Sequence, residues 1–77
     1  MLQLKLKYRE AIIADVELQY KIASSTNKSI ETVKRWAREN SKYLVMLHVI
    51  EIIKQHPKLN IPDSENITEP KEKNILV

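Results

Sequence analysis

At 77 residues and 9.0 kDa the chain has room for one small domain, and at that size folding buries only about 60% of the surface the unfolded chain exposes. Hydrophobic residues at 43% and charged residues at 30% supply a core and a solvated surface, while the absence of glycine excludes phosphate loops and dinucleotide turns that need close backbone approach. The absence of cysteine excludes disulfides and thiolate zinc sites, and the net charge of +3 is uneven: eleven Lys/Arg against six Asp/Glu in residues 1–58, two against four in residues 59–77.

In chain order, the alternation Leu2-Gln3-Leu4-Lys5-Leu6-Lys7 fits a strand, and it also fits the approach to a helix over about residues 5–14. The helix is preferred, because residues 5–55 contain neither proline nor glycine and their apolar spacing is helical. Leu6 and Ile13, with Val16 just beyond, are its inward candidates; Lys5, Lys7, Arg9 and Glu10 point outward. Asp15 is placed to cap a second helix that runs to about Ser25 and carries Leu18, Ile22 and Ala23. Residues 24–29 are rich in Ser, Thr and Asn, which hydrogen-bond locally to backbone and form a bend. Asn27 is the residue suited to positive φ there, standing where glycine would otherwise be used.

Ser29 reads as the N-cap of a third helix ending near Asn40, with Glu31 in its first turn beside the positive end of the helix dipole. On a helical wheel Val33, Trp36 and Ala37 gather on one side with Ile30 at the edge. Glu31, Lys34, Arg35 and Arg38 gather on the other, flanked by Lys28 and Lys42. Ser41 can cap a fourth helix over about residues 42–55, in which Met46, Val49, Ile50 and Ile53 form the core stripe. Val45, Leu47 and Ile52 widen that stripe enough to meet a second subunit. Pro57, Pro62 and Pro70 end the packed body. The fold expected is all-α: a small orthogonal bundle of four or five helices with a helix-turn-helix in residues 1–57, then a mostly extended or disordered tail over residues 58–77. At most one helical turn is expected in that tail, near residues 63–68.

The segment from Gln19 to Trp36 resembles the core motif of Cro/repressor-type helix-turn-helix DNA-binding domains. Gln19, Ala23, Asn27, Ser29, Val33 and Trp36 stand in order where that family places a helix-opening Gln, an Ala, a turn residue, a small polar residue, an Ile/Val and a large apolar residue. The chain departs from the pattern at Thr26 and Lys28, where the family carries apolar residues, and at Asn27, where it prefers glycine. The resemblance implies that Ser29, Ile30, Glu31 and Arg35 face base edges in the major groove. It also implies that Gln19, Lys28, Thr32, Arg38 and Lys42 approach phosphates, with Lys34 on the same cationic face. Side-chain chemistry agrees in part: Arg35 can fork onto guanine, Glu31 can accept from a cytosine amino group, and Ile30 can meet a thymine methyl. The plainer reading of Glu31 is an ion pair with Arg35.

The expected function is therefore sequence-specific binding of double-stranded DNA by a small transcriptional regulator of phage or mobile-element type, acting as a homodimer through the fourth helix. The alternative is a protein-interaction module, antitoxin-like or an adaptor, that uses the apolar face of that helix. No enzyme, cofactor, metal or small-molecule ligand is expected; His48 and His56 lie in no metal-binding motif. The longest uncharged apolar stretch, residues 43–50, falls far short of the ~20 residues needed to cross a bilayer, and residues 1–9 interleave Lys with Leu, unlike a secretory signal. The cytoplasm is the expected location.

Overall fold

Short polar side chains cap the starts of two of the four helices, and three asparagines do the work of the missing glycines. The computed structural model describes residues 2–70. They form β1 (Leu2–Leu4), α1 (Leu6–Ala14), α2 (Val16–Thr26), α3 (Ile30–Glu39), α4 (Leu47–Gln55) and β2 (Thr68–Pro70), with 3₁₀ turns over Lys42–Val45 and Pro57–Leu59. The Asp15 carboxylate accepts from the N–H groups of Glu17 and Leu18 at 3.0 and 3.3 Å, satisfying donors that the first turn of α2 leaves open. Ser29 does the same for α3 through the N–H of Thr32 at 3.1 Å. Asn27, Asn40 and Asn60 follow α2, α3 and the second 3₁₀ turn in the left-handed region, with φ of 59°, 56° and 49°. A short polar side chain makes Asn the next-best residue there.

A single core unites every element. Leu4, Tyr8 and Ile12 pack with Leu18, Ile22 and Ala23 of α2, with Val33, Trp36 and Ala37 of α3, with Leu44, Val49 and Ile53, and with Ile67. The fold is a small all-α bundle of four helices, as the sequence leads one to expect, closed by a two-stranded ribbon.

Four features differ from the expectation. In α1 the inward row is Tyr8 and Ile12, continuing from Leu4 at intervals of four. Leu6, Ile13 and Val16 are exposed, so the helix is rotated from the face assigned to it. Tyr8 tolerates burial because its hydroxyl donates to the Glu65 carboxylate at 2.6 Å.

The fourth helix is not continuous from residue 42. The segment from Lys42 to Val45 is a 3₁₀ turn, and Met46 is extended, with φ of −66° and ψ of 145°, before α4 begins. At about 100° per residue Leu44 and Ile53 would face opposite sides of one helix. The extended Met46 resets the phase, and both side chains enter the core fully buried.

The alternation at the amino terminus is a strand. Leu2, Gln3 and Leu4 pair antiparallel with Pro70, Glu69 and Thr68. Finally, the segment after Pro57 is not a loose tail over its described part. Ile67 is 1% exposed, Leu59 and Ile61 pack against the core, and the Lys5 N–H donates to the Ile67 carbonyl at 3.0 Å. Residues 71–77 of the expected tail lie outside the described residues.

Candidate nucleic-acid interface

The turn between α2 and α3 places the third helix. Asn27 in the left-handed region reverses the chain, its N–H and that of Lys28 both reach the Ala23 carbonyl, and the Thr26 hydroxyl donates to the Ile22 carbonyl at 2.8 Å. Thr26 thus seals the end of α2 by hydrogen bonding where the resembling family uses an apolar residue. Two residues later Ser29 caps α3, and the helix docks through Val33, Trp36 and Ala37, all buried. Trp36 is 6% exposed and meets the Tyr43 ring at a centroid distance of 5.1 Å. Burial of that indole fixes the rotation of α3, and its opposite face turns outward.

The outward face carries Glu31, Arg35 and Arg38, all exposed, with Thr32 and Lys34 half-buried on its flanks. Lys28 and Lys42 are exposed at its two ends. Glu31 stands in the first turn of α3, beside the positive end of its dipole, and pairs with Lys34 at 3.6 Å, not with Arg35. Among the described residues no carboxylate lies within ion-pair distance of Lys28, Arg35, Arg38 or Lys42. The Lys42 ammonium lies 5.8 Å from the centre of the Tyr43 ring. Four cations with no anionic partner among the described residues therefore surround one helix and give it a positive surface.

Of the other residues singled out in the sequence, Ser29 is exposed, but its hydroxyl is engaged in capping and in a 3.0 Å contact with the Thr32 hydroxyl. Ile30 is partly buried against the core. Gln19 is a correction. Expected at a phosphate, it is 3% exposed, and its amide donates to the carbonyls of Ile12 and Ile13 at 2.8 and 3.0 Å. Those carbonyls belong to the last turn of α1, where intrahelical donors run out; that of Ile12 also takes the Asp15 N–H at 3.4 Å, and Gln19 is a buried clasp between α1 and α2.

Two arrangements were not read from the sequence. The first joins α2 to α4. His56, 1% exposed, donates from Nε2 to Asp15 Oδ2 at 2.7 Å and accepts at Nδ1 from the Lys21 ammonium at 3.2 Å. The hydrogen bond from His56 holds the Asp15 carboxyl below its ordinary range. Glu17 brings a third potential ligand atom within 4.8 Å of these two. It is already paired with Lys21 at 3.9 Å and Lys58 at 3.3 Å, so a cation would have to displace two ammonium groups. This cluster is a structural clasp.

The second joins the ribbon to the end of α3. The Asn40 side-chain amide donates to Gln3 Oε1 at 2.8 Å, and the Gln3 amide donates to Glu69 at 2.7 Å. Both clasps bridge residues 35 or more positions apart, so local periodicity carries no trace of them.

The apolar face of α4 is largely consumed within the chain. Val49 and Ile53 are buried and Ile50 and Ile52 half-buried, which leaves Leu47, 73% exposed, as its one exposed apolar residue. No helix among the described residues is long and apolar enough to cross a membrane.

These features define a class: a small helical bundle whose second and third helices are joined by a tight left-handed turn, with a cationic third helix. No protein-family model, curated protein or solved structure matches the chain.

Proposed function

We propose that this protein binds double-stranded DNA sequence-specifically, as a small transcriptional regulator of phage or mobile-element type, with α3 lying in the major groove and α2 crossing the backbone. The observation that supports the reading is the cation set Lys28, Arg35, Arg38 and Lys42, without an ion-pair partner among the described residues, around a helix whose rotation is locked by a buried Trp36. A helix is about the width of a major groove, and an Arg projecting from its middle has the fork that matches the guanine edge. Arg35 is the base-reading residue of this proposal, with Glu31 and Ile30 beside it. Lys28, Thr32, Lys34, Arg38 and Lys42 set the register on phosphates. A domain this small covers few base pairs, so two copies act on half-sites about one helical turn apart, with Leu47 in the contact between them. Binding by docked side chains, without catalysis, is the whole of the activity proposed.

Fluorescence anisotropy on a mixed duplex library across salt concentrations tests this. Neutralising ~5 to 7 phosphates per subunit gives a log-log slope of roughly −4 to −6, and joint replacement of Arg35 and Arg38 by Ala makes it shallower. Absence of binding at low salt would contradict the proposal.

A further inference from the structure

Beside α3 lies an open hollow of about 490 Å³, walled by the end of α2 and the turn on one side and by the 3₁₀ turn and the start of α4 on the other. Its rim is exposed and cationic, carrying Lys28 and Arg35 with His48 across from them. Its floor is apolar: the buried Trp36, the exposed Tyr43 ring tilted against it at 33°, and the half-buried Met46. Among the described residues no carboxylate lines it. The Thr32 hydroxyl stands at its edge, and when the Ser29 hydroxyl donates to it, its own proton is free for a ligand. The volume falls within the range of about 300–1,000 Å³ usual for small-ligand sites. Cations at the mouth select an anion, and the exposed Tyr43 ring offers an apolar surface to a sugar or base attached to it.

We propose that this hollow holds one nucleotide unit, with its phosphate at the Lys28 ammonium and the Thr32 hydroxyl, its sugar and base edge against Tyr43 and Met46, and Arg35 left free at the rim to reach a base edge. The unit belongs to the DNA strand that α3 docks on, and to that extent the inference rests on the DNA-binding reading. The open side, bounded by exposed residues, lets a strand enter and leave. A free nucleotide has the same chemistry and is the other source. Tyr43 and His48, neither of which the motif assigns to DNA, become contacts under this proposal.

The test compares duplex binding by the intact chain with that of Tyr43→Leu, which keeps apolar cover over Trp36, and of His48→Gln, an exposed position in no hydrogen bond among the described residues. In parallel, a deoxynucleoside 5′-monophosphate is titrated into ¹⁵N-labelled protein. The expected result is duplex binding weakened about fivefold or more by Tyr43→Leu and about threefold by His48→Gln, with melting temperature held in His48→Gln. Amide shifts confined to residues lining the hollow on adding the mononucleotide would assign the site to free nucleotide, whatever the duplex result. Duplex binding with both variants within twofold of wild type, and no such shifts, would overturn the hollow while leaving the DNA-binding reading in place. Failure of both duplex and mononucleotide to bind would overturn both.

Discussion

Replacing Ile67 by Ala tests whether the segment after the first proline is part of the folded core. Ile67 is 1% exposed, it packs in the same cluster as Leu4, Leu18 and Trp36, and its carbonyl holds the Lys5 N–H at the junction of β1 and α1. A buried Ile→Ala change costs about 2–5 kcal/mol, combining lost transfer energy with the cavity left behind. At roughly 0.05–0.15 kcal/mol per residue, a chain of this length has about 4–12 kcal/mol in total, so the substitution removes a large share of it. Denaturant unfolding followed by circular dichroism should place Ile67→Ala at least 2 kcal/mol below wild type, with Ile67→Val costing about 1 kcal/mol. Truncation after Pro57 should unfold the protein, since it removes Ile67, strand β2 and the Glu65 partner of Tyr8 together. A truncated chain with wild-type helicity and melting temperature would refute the reasoning and restore the tail to a linker.

Trp36→Ala should cost about 3–5 kcal/mol and lose most helicity, because it empties the contact that orients α3; an unchanged melting temperature would mean the helix faces are reversed. At acid pH, stability should fall as Asp15 titrates. Its folded pKa is depressed by the His56 hydrogen bond, so its contribution is present above the unfolded value and lost as pH drops through the folded one, and Asp15→Asn should flatten that limb of a pH–melting curve. At alkaline pH the sign is opposite. The Tyr8 hydroxyl, donating to Glu65, is pushed up to about 12, so its contribution is present below its ordinary value of 10.0 and is lost between there and about 12. Tyr8→Phe should remove this alkaline dependence, and a variant that keeps it would break the assignment.

What could be read from the sequence was local. The Asp15 and Ser29 caps, the positive φ of Asn27 and the split of α3 into a Val33–Trp36–Ala37 face and a cationic face each depend on residues within one or two turns, and the structure holds all of them. At Leu2–Leu4 the alternation fits a strand, but the proline- and glycine-free run behind it favours a helix, and the partner that decides for the strand lies more than sixty residues away. Ile67 stands between prolines with no periodic neighbour, so the sequence offers it, with Leu59 and Ile61, only as an alternative contributor to the core, and its burial is a tertiary contact. In α1 the sequence offers two apolar rows, Leu6 with Ile13 and Tyr8 with Ile12. Only the register set by Leu4 selects between them. Gln19 illustrates a motif position put to another use: the pattern placed it at a helix start, but its burial against the end of α1 is a tertiary contact no spacing rule reports.

The most direct measurement is recovery of bound duplexes from a random pool by the wild-type chain and by Arg35→Ala. If α3 reads bases through Arg35, wild type enriches one motif containing a guanine in each half-site, and the variant loses preference at that guanine alone. An unenriched pool, or the same motif recovered with and without the Arg35 guanidinium, would contradict that reading.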